Sequence, residues 1–378
     1  MSGPGSKIPF RWHELATLSL ATALAWGLRG QHGHERGGAV AGAMIGLAMA
    51  AVTGGPAWIG AAIVGSLGFA IGGALSCGHF MEQAFQGSWE AAGALTLIGV
   101  AWGGLGGLAL GLGLALPKYR VAERIGIAGG LFLVWFSVDR LLWGGISGPE
   151  DFRTRELMAF ILVCVWALLL AYAGILRRDN ASLMLGLAGA FGFGVGFPAA
   201  AWVQGAGQAS GIHLDWWKTA EHLIGLCGGL SLGAAALSLE SSWRLPRAVR
   251  PWERWSAVAW LLFLLPAWLM ANNLDYWISE RALLPVTAGK IVWILLFAWL
   301  LGLAVWGWYE IRQGKLFVTS WMPRQLRTLF LLFLWLTTLI ACAKTLFAGI
   351  WNPTPAGFVL LAIAITWLIQ SHRPKAAF

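Results

Sequence analysis

Charge is what this sequence has least of. Of its 378 residues, 11% are Asp, Glu, Lys or Arg, less than half the roughly 25% of a soluble domain. So little charge cannot clothe a water-exposed fold, which excludes a soluble globular protein and calls for surroundings that are themselves apolar. Apolar–polar alternation is missing from the hydrophobic stretches, so a membrane β-barrel is excluded as well. Cysteine is scarce: Cys77, Cys164, Cys227 and Cys342 lie far apart in apolar segments, with no CxxC pair. That is the pattern of packed free thiols, not of a disulfide framework or a thiolate metal centre. The first apolar stretch, 15–26, lacks a small-residue cleavage signature before the chain turns polar at Arg29, and it reads as a first spanning helix, not as a cleaved leader. Long polar segments are missing too, and the longest connections, such as 240–254, are too short for a soluble domain. No Cys–His pattern stands out, and neither the glycine runs nor the GxSxG spacing at 229–233, inside an expected helix, follows a strand, which removes the nucleophile-elbow and dinucleotide-fold readings.

What is present is hydrophobicity, 58% of the residues. Runs such as 255–270, 291–307 and 329–343 are long enough, or nearly so, to cross about 30 Å of hydrocarbon as helix. The pattern predicts an all-α, polytopic integral membrane protein with about twelve transmembrane helices. The expected ranges are 12–28, 37–54, 57–76, 91–116, 124–147, 155–176, 181–202, 216–239, 255–275, 284–309, 326–348 and 355–370. Basic residues test that count. With the N-terminus in the cytoplasm, seventeen Lys and Arg fall on cytoplasmic segments, including Arg244, Arg247, Arg250 and Arg254, and eight fall on the opposite side. The asymmetry predicts an inner (cytoplasmic) membrane protein with both termini cytoplasmic. It also accounts for the net charge of +9 without a nucleic-acid partner; the partner implied is the lipid bilayer.

The chain reads as one transmembrane domain, 1–378, of two compositions. Residues 1–239 are crowded with glycine at four-residue spacing, as in Gly38, Gly42 and Gly46; Gly99, Gly103, Gly107 and Gly111; and Gly225, Gly229 and Gly233. Each set lies on one helix face, where small residues let backbones approach in lipid. Residues 250–378 are rich in Leu, Phe and Trp. The Gly-rich helices are expected to carry the polar site and to pack against a Leu/Trp-rich scaffold. Trp252, Trp255, Trp277, Trp321 and Trp351 lie near expected helix ends and suit an aromatic belt.

Two polar stretches stand out. The first, between the first two helices, holds Arg29, His32, His34, Glu35 and Arg36 among glycines; the second, opening the eighth, holds Asp215, Lys218, Glu221 and His222. Ionisable groups near hydrocarbon are costly and usually face a cavity or a partner. Glu35 precedes Gly42, and Glu221 precedes Gly228, by the same seven residues, a hint of a duplicated element such as transporters carry. Asp139 and Arg140 add an acid and a base within the fifth expected helix. His32, His34 and Glu35 are metal-ligand types, but HxHE is not the helical HExxH spacing; no metal is assigned, and nothing specifies a cofactor.

These residues fit a multi-pass transporter for a small polar or anionic substrate. Arg29, Arg36, Arg140 and Lys218 would hold substrate charge, and Glu35, Glu221 or Asp139 a coupling proton. His32, His34 and His222 have ordinary titration ranges near neutrality. The alternative is a membrane-embedded enzyme with an outward-facing acid/base site for a lipid-linked, phosphate or carboxylate substrate. A scaffold subunit is the third reading, and homo-oligomer formation is left open.

Overall fold

The computed structural model describes residues 11–115, 118–133, 152–243, 257–312, 323–346 and 353–371, apart from a few single positions within them. The described residues are helical, with no strand among them. In chain order the helices are α1 (Trp12–His32), α2 (His34–Thr53), α3 (Ala57–Gly72), α4 (Gly78–Phe85), α5 (Trp89–Ala115), α6 (Phe152–Ala171), α7 (Asn180–Ala209), α8 (Trp216–Trp243), α9 (Leu265–Asp275), α10 (Val286–Arg312), α11 (Pro323–Leu346) and α12 (Thr354–Ser371). Wider π-type turns extend α6 through Tyr172–Leu176 and flank α9 at Ala259–Leu264 and Tyr276–Glu280. Seven of these helices, α2, α5, α6, α7, α8, α11 and α12, are long and apolar enough to cross a membrane. Most of the expected 124–147 helix, with Asp139 and Arg140, lies outside the described residues. The short α4 falls where only a polar connection was expected.

Helices α1, α2, α3, α5, α7 and α8 pack in that order around a closed ring, α8 returning to α1. Glycine makes the ring tight. A Cβ at Gly38, Gly42 or Gly46 of α2 would come within 3 Å of the α3 backbone at Phe69, Gly65 or Ala62. The face Gly99, Gly103, Gly107 and Gly111 of α5 meets the α7 backbone at Phe193, Gly189, Leu185 and Ser182 just as closely. Gly225 and Gly229 of α8 lie on α1 at Thr22, Ala23 and Ser19. In lipid, helices gain little from hydrophobic burial against one another, so close dispersion contact of this kind drives association.

The ring has a filled centre. Trp26 of α1 sits with its ring centroid 4.9 Å from Trp102 of α5 and 4.6 Å from Phe193 of α7. Phe69 of α3 and Phe197 of α7 complete the cluster at 6.3 Å and 5.9 Å from Trp26. Further glycines make room for these rings: Gly106 beneath Phe69, Gly72 beneath Trp102 and Gly228 beneath Phe193. The space that glycine leaves is therefore occupied by backbone and by an aromatic plug. Outside the ring, α9, α11 and α12 pack on the α1–α2 side and α6 on α5. Helix α10 stands at the edge, with Ile294 and Phe297 about 70% exposed (67% and 70%), as residues that meet lipid would be.

Candidate functional site

Helix α1 ends on top of the plug. Its last turn carries Arg29 and His32 three residues apart, hence on one face. Gly33, with φ 79° and ψ −169°, breaks the helix for a single residue before α2 begins. On the neighbouring helix, Asp215 caps the start of α8: its Oδ1 accepts the Lys218 backbone N–H at 3.0 Å, and its Oδ2 accepts the Thr354 hydroxyl of α12 at 2.7 Å. That cap sets the first turns of α8 against the last turns of α1. The two polar stretches, 192 residues apart, meet there.

Their meeting point is Glu221. Arg29 Nη1 donates to its Oε1 at 3.2 Å and Lys218 Nζ to its Oε2 at 2.5 Å. Glu221 is 3% exposed and Arg29 5%, so one carboxylate and two cations are held out of water with a formal sum of +1. Gly30 lies directly under the carboxylate; a Cβ there would collide with it. The Arg29 guanidinium lies over two faces of the plug, 4.5 Å from the Trp102 centroid and 5.3 Å from that of Trp26. Contacts of this kind contribute about 0.5–2 kcal/mol each. Cys77, between α3 and α4, lies beside Arg29 and Glu221.

His32 is only 2% exposed, and neither ring nitrogen has a hydrogen-bond partner. Lys344, Lys218 and Arg36 are all close enough to act on it electrostatically. The Arg29 Nε is likewise buried without a partner. A buried polar atom left unmet costs about 1–3 kcal/mol, and such atoms in a native protein call for a specific explanation.

The remaining expected residues take lesser places. Arg36 donates to the Asn272 side-chain oxygen of α9. Lys344 of α11 donates to the Gln31 carbonyl at 2.5 Å and lies 4.8 Å from the Tyr276 ring centroid. His222 donates through Nδ1 to the Lys218 carbonyl at 2.6 Å, turns Nε2 toward Gly27, and packs 5.6 Å from Phe358, which is a packing position between α1 and α12. Glu35 is half-buried where Glu221 is buried, so the two acids that echo each other in sequence hold different environments. The His34 side chain, Asp139 and Arg140 lie outside the described residues. The sequence does not mark Trp102 and Cys77 as site residues: each resembles ordinary core, and only the fold brings it there.

Among the described residues, no three His, Cys, Asp or Glu side chains gather as a metal ion would require. The arrangement holds charge in a water-poor site at one end of the ring, closed on its inner side by aromatic rings packed edge-to-face and tilted. No protein-family model matches the chain, and comparison with curated proteins and with solved structures finds no match.

Proposed function

We propose that the chain is a multi-pass membrane transporter for a small polar or anionic substrate, bound at the Arg29–Glu221–Lys218 cluster. In this reading it crosses an inner membrane about twelve times. Both termini are then cytoplasmic and the cluster faces outward, a topology that the distribution of Lys and Arg supports. The observation that carries the reading is the shared carboxylate. Two cations from different helices converge on Glu221 inside a six-helix ring, at the meeting of an α1 end and an α8 start. Ionisable groups held inside a bundle mark substrate and ion pathways, and helix N-termini there favour anionic groups. Glu221 is the acid placed to carry a coupling proton, because protonating it would release both cations at once. The aromatic plug would be the closed inner gate.

A specific observation also favours the enzyme reading. Arg29, His32, Lys218 and Glu221 gather at one end of the ring, and the Cys77 thiol lies beside an arginine and a carboxylate. Cys77 itself separates the two readings. In a Cys164→Ser, Cys227→Ala, Cys342→Ala background, reconstituted in one orientation, it is labelled with a charged, membrane-impermeant thiol reagent from each side in turn. Transport requires labelling from both sides. Labelling from the cluster's own side alone assigns a one-sided catalytic site, and labelling from neither rejects an accessible site altogether.

A further inference from the structure

We propose that the cluster is a built oxyanion site, in which Arg29, His32 and Lys218 bind a small carboxylate- or phosphate-type anion. The inference names the substrate class of the transport reading and rests on it for the site's use, though not for the binding itself.

Three observations carry it. First, His32 is fully enclosed with both ring nitrogens unmet, one helical turn from the buried and unmet Nε of Arg29. A neutral imidazole always offers one N–H donor, and Arg29 offers a second with a fixed direction. Both demand an acceptor, and an oxyanion supplies several on one small body. Second, Arg29, Lys218 and Glu221 sum to one positive charge in a site with little water, and one negative charge brings that sum to zero. Third, α2 begins at this end with Gly33 as its cap residue, which provides no side-chain cap to its first N–H groups. The positive end of the helix dipole is thereby added to the same region. Lys218 is the mobile member: its side chain is 13% exposed against 4% for Glu221, so it can turn from the carboxylate to an incoming anion while Arg29 stays on Glu221. No bond is made or broken, and the step is an exchange of hydrogen bonds.

The test is thermal unfolding of the full chain in phosphatidylcholine nanodiscs. Sodium acetate and sodium phosphate are each titrated against sodium chloride at equal ionic strength. An oxyanion that binds the folded state raises the melting temperature with the logarithm of its concentration. At least one of the two is expected to do so beyond chloride. His32→Leu, which keeps bulk but has no donor, should abolish the rise, and Arg29→Lys, which lacks the planar fork, should weaken it. A parallel arm in phosphatidylglycerol nanodiscs, with chloride alone, identifies the source: a rise there that His32→Leu removes assigns the oxyanion to a lipid headgroup. No rise over chloride in any arm overturns the proposal in the wild-type protein, whatever the variants do. A rise that His32→Leu leaves intact overturns it too. Two-sided labelling of Cys77 with no anion response leaves transport standing and removes the oxyanion; an anion response with one-sided labelling does the reverse.

Discussion

Replacing Glu221 with Gln should destabilise the protein far more than replacing its principal partner. Gln keeps the size of the side chain and one acceptor oxygen, but removes the charge that two cations share. Arg29 is then a guanidinium, 5% exposed, that cannot lose its proton and pairs with no other carboxylate among the described residues. Stranding one member of a buried pair costs about 3–5 kcal/mol. The stacking of Arg29 on Trp102 and Trp26 persists in the variant and offsets none of that loss. Arg29→Met has a different outcome, because Glu221 keeps Lys218 at 2.5 Å. The loss is then nearer one charged hydrogen bond, about 1.5–3 kcal/mol. In the double variant only Lys218 is left uncompensated, and it can reach water along its flexible stem. Its cost should fall below that of Glu221→Gln plus Arg29→Met by about 2 kcal/mol or more. Equilibrium unfolding in mixed detergent micelles, followed by helical circular dichroism, measures all four corners of the cycle. If Glu221→Gln costs under about 1 kcal/mol, within the range of exposed pairs, or if the two single losses add, Arg29 and Glu221 are not a buried, coupled pair and the site argument fails.

Gly103→Leu should destabilise by about 1–3 kcal/mol through overpacking, because even a Cβ there would meet Gly189 and Phe193 of α7 within 3 Å. Gly93→Ala, where a Cβ meets nothing within 4 Å, should instead stabilise by about 0.5–1 kcal/mol from helix propensity alone; the same unfolding assay reads both. At the opposite end of the ring, the Tyr119 hydroxyl donates to Asp179 at 2.9 Å, and burial, with the Asp179 carboxylate next, pushes its titration upward. The folded state then holds that proton more tightly than the unfolded chain. Its contribution is present below the ordinary tyrosine value of about 10 and is lost as pH rises beyond it. Tyr119→Phe should flatten that alkaline decline, and melting temperatures between neutral and alkaline pH would show it.

Much of the helical architecture was legible because lipid-facing and core residues are both apolar, so continuous runs mark helices without needing a period. Helix α4 was not legible, since eight residues with His79, Glu82 and Gln83 among them read as a polar connection. The glycine faces announced close packing, but not their partners: nothing in Gly99–Gly111 names Leu185–Phe193 as the surface it meets. The two polar stretches could be found from the density of ionisable groups. Their meeting depends on the ring closing from α8 back to α1, which is a property of the whole set of helices. Trp102 was unreadable as a site residue for the same reason. It lies in a Gly-rich helix like any core tryptophan, and its part comes only from the Arg29 guanidinium resting on it.

Gly33 joins these levels. Its φ of 79° with ψ of −169° lies in a region that residues with a side chain essentially never occupy, at a cost of about 1–3 kcal/mol when forced. A Cβ at Gly33 would meet nothing within 4 Å, so any penalty of substitution is backbone strain and not collision. Gly54, closing α2, has φ 70° and ψ 9°, the left-handed helical region that asparagine tolerates. Gly33→Asn should therefore lose clearly more stability than Gly54→Asn. The chain would relieve its strain by turning α2 on α1, which draws Arg36 away from Asn272 and opens the enclosure of His32. The stability loss at Gly33 should thus come with a weakened anion response in the melting assay, while Gly54→Asn keeps the full response. Equal losses for the two variants would mean that the α1–α2 break does not depend on glycine, and that the hairpin is not what holds His32 beside Arg29.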